Sequence, residues 1–191
     1  KGAFTADELA DAQYDPSRLP PAGTESDHWP GVDFHVHPKM PDLKFLSDMK
    51  KAGVRHAVIL ATDTDPEDLD RPEIAEKLKN AYEGSAHSQS VPFAQFLKTI
   101  RADLYSRTHV TDQDVADWVA DYPDTLTGFG SVNLSKSGDY VEEKLDRIRQ
   151  LGLKGIKLLP YSQFFNPAQN ENMDLLFDFC RRNGFIVLPH S

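Results

Sequence analysis

Ala57-Val58-Ile59-Leu60 and, much further along, Phe185-Ile186-Val187-Leu188 are apolar runs uninterrupted by any polar residue. A strand with one wet face alternates apolar and polar side chains. An unbroken run asks for burial on both faces, the condition of a central strand in a parallel sheet. Three further segments extend the pattern, so that strands are expected at Val32 to His37, Val54 to Ala61, Thr127 to Leu134, Gly155 to Leu159 and Phe185 to His190. Between them lie stretches of helical period, and such alternation is the mark of repeated βα units around a parallel sheet.

The helical stretches carry their own punctuation. Asp42 to Ala52 places Leu43, Leu46 and Met49 on one stripe and ends at Gly53. Gly138 to Leu151 repeats this with Val141, Leu145, Ile148 and Leu151 before Gly152, and Glu171 to Asn183 with Met173, Leu176, Phe177 and Cys180 before Gly184. A helix lying on a sheet needs such a stripe, and a glycine just past its end suits the left-handed closing position. Residues 62–126, between the second and third strands, are far longer than one crossover helix needs. They read as a helical insertion with helices at Pro72 to Glu83, Pro92 to Arg107 and Asp112 to Asp121, the last capped by Thr111. An insertion leaving the C-terminal end of a strand is placed to act as a lid or pocket wall, or else as packing or an oligomer surface. Residues 1–30, with Pro16, Pro20, Pro21 and Pro30, show no periodicity and read as an irregular arm before the 31–191 domain.

Composition narrows the partners. Hydrophobic residues are 39% and charged residues 27%, the usage of a globular chain, and the net charge of -9 opposes attraction to nucleic acid. Asp63, Asp65, Glu67, Asp68 and Asp70 concentrate that charge and read as a solvated loop and helix start rather than a cation site. A lone Cys180 cannot form an internal disulfide, and the chain shows neither a signal peptide nor an apolar run of about 18 residues, so no membrane partner and a cytoplasmic location are expected.

The chemistry concentrates in Asp33-Phe34-His35-Val36-His37. On a strand, His35 and His37 share a face while Phe34 and Val36 pack behind them. Two neutral imidazoles so placed are able to hold one metal ion. With 7 His in 191 residues chance gives about 0.2 His-x-His pairs, and an acid two residues earlier lowers that to about 0.03, so the pair is more than background. Asp33 shares their parity, either as a carboxylate orienting a ligand or as a buried, hydrogen-bonded acid. His56 falls at the start of its strand, at the opposite rim, while His28, His87 and His109 lie in the arm or insertion.

The Asp-x-His-x-His strand resembles the opening of the amidohydrolase superfamily. Three later segments are similar to its amidohydrolase-related branch, which includes aminocarboxymuconate-semialdehyde decarboxylase-like enzymes. They are Tyr122-Pro123-Asp124 with Gly128-Phe129-Gly130-Ser131-Val132, then Leu151-Gly152-Leu153-Lys154-Gly155-Ile156-Lys157-Leu158, then Leu188-Pro189-His190. The resemblance implies a (β/α)8 TIM-barrel type of fold, α/β, of which this chain holds the first five βα units. It also implies a divalent metal, zinc by preference, with His35, His37 and His190 as ligands. Three protein ligands and an open position are what a catalytic zinc needs.

Lys157 sits in an apolar strand, where a lysine must find an anion, reach solvent or lose its charge. Binding a substrate carboxylate, pairing with a barrel acid, and bridging two metals after carboxylation, as related two-metal barrels do, all stay open. Tyr161 and Phe164 in the next loop are candidates to line the pocket, against ordinary loop packing. The family's eighth-strand aspartate, which the resemblance would make the acid/base group, matches no position here, so an incomplete barrel and a longer chain are expected. The expected function is metal-dependent hydrolysis of an ester, lactone or amide in a small-molecule substrate. Decarboxylation of a small carboxylic acid and a noncatalytic binding or scaffold role are the alternatives, and the insertion offers a surface for a homo-oligomer.

Overall fold

The computed structural model describes residues 31–37, 43–85, 88, 90–102 and 109–190. The expected arm 1–30, His28 and His87 lie outside them. The elements run β1 (Gly31–Val36), α1 (Leu43–Lys51), β2 (Val54–Leu60), a 3-10 turn (Pro66–Asp70), α2 (Pro72–Glu83), α3 (Phe93–Ile100), α4 (Asp112–Asp121), β3 (Leu126–Ser131), α5 (Gly138–Gln150), β4 (Gly155–Leu158), α6 (Asn172–Asn183) and β5 (Ile186–Pro189). The strands form one parallel five-stranded sheet in the order β1-β2-β3-β4-β5. Sequential order with helical crossovers is what βα units produce when every connection turns the same way. The sheet is curled. His35 of β1 and His190 after β5 stand with ring centroids 5.3 Å apart although their strands are the two edges. The result is the α/β half of a TIM-barrel type of fold.

The core lies between sheet and helices. Val141, Leu145 and Ile148 of α5 and Leu176 of α6 are fully buried against Ile59, Ile156 and their neighbours. Each such side chain contributes roughly 1.5–3 kcal/mol of transfer free energy. The helices come close to β3 because it is glycine-rich there. A Cβ on Gly130 would stand 2.6 Å from Ile148, and one on Gly128 2.7 Å from Val115 and Leu153. The helix stops were legible, since Gly53, Gly152 and Gly184 have φ of 73°, 76° and 68°.

Several expectations need correction or completion. Phe185-Ile186-Val187-Leu188 is not a doubly buried central strand: β5 is an edge, and Ile186 is 62% exposed. Burial on both faces holds for β4 and for Ala57 to Leu60 of β2, which have neighbours on both sides. On the other edge Phe34 does not pack behind the histidines but is 66% exposed, while Val36 does meet the core. An apolar run reports the demand for burial, and edge strands meet it only when something covers them.

In α6, Phe177 points to solvent and Phe179 joins Leu176 and Cys180 in the core. Both choices satisfy a helical stripe, and only the tilt of the helix on the sheet separates them. The helix expected at Pro92 to Arg107 runs as α3 over Phe93–Ile100, followed by a short wider turn at 101–102, and its remainder lies outside the described residues. Lastly, Asp63 and Asp68 are not solvated but buried. Asp63 accepts from the Asn133 N–H at 2.6 Å and the Tyr140 hydroxyl at 2.9 Å, and Asp68 from Asn133 Nδ2 at 3.2 Å. The remaining acids behave as read, with Asp65 capping the 3-10 turn.

Candidate active site

β1 delivers His35 and His37 to the C-terminal rim, and β5 delivers His190, whose N–H donates to the Leu158 carbonyl at 2.9 Å and so ties it to the end of β4. The Nε2 atoms of His35 and His37 are 3.2 Å apart, with ring centroids at 5.1 Å. His190 stands edge-on to His35, with an interplanar angle of 89°. The three histidines proposed from the sequence are therefore brought to one place by the curl of the sheet.

Lys157 rises from β4 beneath them, fully buried, with Nζ 3.4 Å from His35 Nε2. Burial holds its pKa below the ordinary lysine value. Burial also lowers His35, helped by Lys157 and His190 and opposed by Asp33. His37 falls to about 4, chiefly through burial and then through His35 and Lys157, while the Leu60 carbonyl pulls the other way. That carbonyl does not complete a well-formed hydrogen bond, since His37 Nδ1 is buried with no partner. Both shifts favour the neutral imidazoles, which share a proton between the facing Nε2 atoms.

A tetrahedral zinc with nitrogen ligands at about 2.0–2.1 Å holds them roughly 3.3 Å from each other. The His35–His37 spacing of 3.2 Å and the neutral donor set fit this. The third position does not yet fit. Among the described residues no three His, Cys, Asp or Glu side chains are arranged, as they stand, to hold one ion.

The other expected residues are placed as follows. Asp33 is exposed, and its Oδ1 accepts from the backbone N–H of His35 at 3.0 Å, which fixes the backbone at His35 rather than its ring. Tyr161 is 79% exposed. Phe164 packs into a cluster with Leu69, Ile74 and Leu78 of the insertion, and its φ of 58° lies in the left-handed region that non-glycine residues rarely adopt. The insertion therefore packs on the loop after β4. A cleft lined by Arg71, Lys77, Ser135, Phe164 and Asn166 runs along that seam. His56 bonds Thr127 Oγ1 at 2.8 Å, near the start of β3, and His109 sits at the base of the insertion with Nδ1 3.2 Å from the Thr64 carbonyl.

A buried polar layer that the sequence reading passed over supports the rim. Gln163, fully buried, accepts from the Leu159 N–H at 2.9 Å and donates to the Asp63 carbonyl at 3.1 Å and Ser131 Oγ at 3.3 Å. Ser131 Oγ donates to the Lys157 carbonyl at 3.0 Å, and its N–H donates to Asp112 Oδ1 at 2.9 Å. Asp112 pairs with Lys144 at 2.7 Å, though burial still leaves its pKa raised. One amide thus joins the loops after β2 and β4 to the end of β3. The available signal was polar residues at or beyond the ends of β2, β3 and β4: Asp63, Ser131, Asn133 and Gln163.

No protein-family model matches this sequence, and no curated protein does. Solved structures do match in fold. An uncharacterized TIM-barrel protein from Bordetella bronchiseptica has a TM-score of 0.52 at 16% identity over 83% of this chain and 54% of its own. A Staphylococcus aureus protein provisionally described as an amidohydrolase has a TM-score of 0.51 at 16% identity, over 83% of this chain and 46% of its own. An Acinetobacter baumannii protein provisionally described as a 2-pyrone-4,6-dicarboxylic acid hydrolase reaches 0.45 at 12% identity, covering 85% and 50%. The chain spans about half the length of these structures. What the fold and rim define is a class, the α/β TIM-barrel type, here as five parallel strands joined by helical crossovers.

Proposed function

We propose that this chain supplies the histidine half of a metal-dependent hydrolase site acting on an ester, lactone or amide carbonyl. The observation that carries the reading is the His35–His37 pair, with Nε2 atoms 3.2 Å apart at the rim where barrel enzymes keep their chemistry. The resemblance of the Asp33 to His37 strand to the amidohydrolases, and the name of the Staphylococcus aureus structure, agree with it. His35 and His37 offer two nitrogens and His190, after a turn of its exposed ring, a third. A divalent ion, zinc by preference, supplies Lewis acidity when bound, polarising a carbonyl and making water nucleophilic near neutral pH. The residues themselves do the positioning. Asp33 holds the backbone at His35, the β4–β5 ladder holds His190, and Lys157 sets a positive or hydrogen-bonding group under the pair.

A second reading, decarboxylation of a small carboxylic acid, is favoured by Lys157 beside His35, because a basic group at the reacting centre suits a carboxylate substrate. Metal analysis of the wild type beside His35→Ala and His190→Ala tests the shared site. Metal at one equivalent in the wild type and depleted in both variants is expected, and equal content in all three would falsify it. Between the readings, incorporation of labelled water oxygen marks hydrolysis, and release of carbon dioxide without it marks the lyase.

A further inference from the structure

Lys157 is a buried cationic side chain that the fold itself does not use. Its neighbours on β4, Gly155, Ile156 and Leu158, are buried and uncharged, so packing there asks for an apolar residue. The fold pairs its other well-covered lysines. Lys144 meets Asp112 at 2.7 Å and Lys136 meets Asp68 at 3.8 Å. Among the described residues Lys157 has no carboxylate within ion-pair distance, and its Nζ meets His35 Nε2 at 3.4 Å. That length is beyond the usual 2.7–3.2 Å of an N–H donor, and an ammonium carries three donors where His35 accepts one at most. A buried donor without an acceptor costs about twice what a made bond contributes, and more when it is charged. His35, the side chain that Nζ meets, is itself exposed on an edge strand, so the amine lies one side chain below the open rim.

We propose that Lys157 is a substrate-binding residue that receives a carboxylate at the floor of the histidine rim. This rests on the proposed function for the place of the reacting centre, and it deepens that reading to substrates that carry a carboxylate near the reacting carbonyl. A charge-assisted bond to an oxyanion gives Nζ the acceptor that the chain withholds.

The test titrates the protein with glutarate and, as the neutral control, glutaramide, by calorimetry and by NMR of the lysine ε-methylene signals. Glutarate is expected to bind and to shift the Lys157 signal, glutaramide to bind about tenfold more weakly or worse, and Lys157→Met to lose about tenfold or more of the glutarate affinity. The NMR arm needs no variant, so it stands even if Lys157→Met fails to fold. Absence of glutarate binding, binding without a shift at Lys157, or equal binding by Lys157→Met would each overturn the proposal. Zinc titrated into the same samples keeps the two claims separate: wild type that binds glutarate through Lys157 but no zinc sinks the metal reading alone, and zinc bound without glutarate sinks this one.

Discussion

Nζ of Lys157 lies 3.4 Å from Nε2 of His35, although one residue is on the fourth strand of the sheet and the other on its first. The contact crosses the concave face, so it exists only because the sheet curls. It places a buried amine under two neutral imidazoles, and the stability and ligand behaviour of this region follow from that juxtaposition.

Lys157→Met is expected to leave the chain folded and to raise its stability by about 1–3 kcal/mol. Replacing buried charge by an apolar side chain of similar volume is often neutral or stabilising. Urea unfolding of both proteins checks this. A loss of stability would mean that the amine is structural, held by a partner the apolar strand does not suggest.

Zinc should protect the fold. If it binds through the rim histidines, a concentration 100 times its dissociation constant adds about 2.7 kcal/mol, and a chelator removes that increment. Thermal unfolding with and without zinc, repeated on His37→Ala, reads it directly. The increment should vanish in the variant, each protein being compared with its own metal-free baseline.

Gln163→Leu should be costly beyond its volume. It strands the Leu159 N–H and removes the donors to the Asp63 carbonyl and Ser131 Oγ, all in a buried layer. Leaving such groups unpaired costs about 1–3 kcal/mol each, so a total of roughly 2–4 kcal/mol is expected after partial relaxation. Ser131→Ala, which removes a weaker part of the same layer, should cost about 1 kcal/mol, and a denaturant midpoint series on both gives the ranking.

Gly130→Ala tests the close approach of α5 to β3. The added methyl meets three Ile148 carbons at 2.6–2.8 Å, so the Ile148 side chain or the helix that carries it must shift. Overpacking of this kind costs about 1–3 kcal/mol, and the double variant Gly130→Ala with Ile148→Val should recover part of it.

Cys180 should resist alkylation in the native state. It is buried on α6, and burial pushes its thiol up to about 11. The thiolate is the reactive form, so iodoacetamide at neutral pH is expected to modify it only upon unfolding, on the same time course as a global unfolding probe.

Much of the architecture was already legible in the chain. The runs at Ala57 to Leu60 and Gly155 to Leu159, the stripe Val141, Leu145 and Ile148, and the closing glycines 53, 152 and 184 specify strands, helix faces and stops through local periodicity and backbone freedom alone. So does the insertion, because Pro72 and Thr111 mark helix starts by the donors they lack or satisfy. The histidine spacing on β1 likewise fixes that His35 and His37 share a face, since that follows from the pleat.

What the chain could not declare by itself depends on which surfaces meet. Whether an apolar run is central or an edge depends on what pairs with it, and so Ile186 and Phe34 ended exposed despite their sequence. Phe177 and Phe179 compete for one stripe, and the tilt of α6 decides between them. Asp63, Asp68 and Gln163 look like loop residues until loops separated by up to a hundred positions are stacked above the same sheet end, where a carboxylate or amide becomes the partner of a backbone group that would otherwise be buried bare. The meeting of His190 and Lys157 with His35 belongs to the same kind. Local sequence sets which way each side chain leaves its strand, but only the curl of the whole sheet, a sum over every strand pair, sets how far apart the strand ends stand.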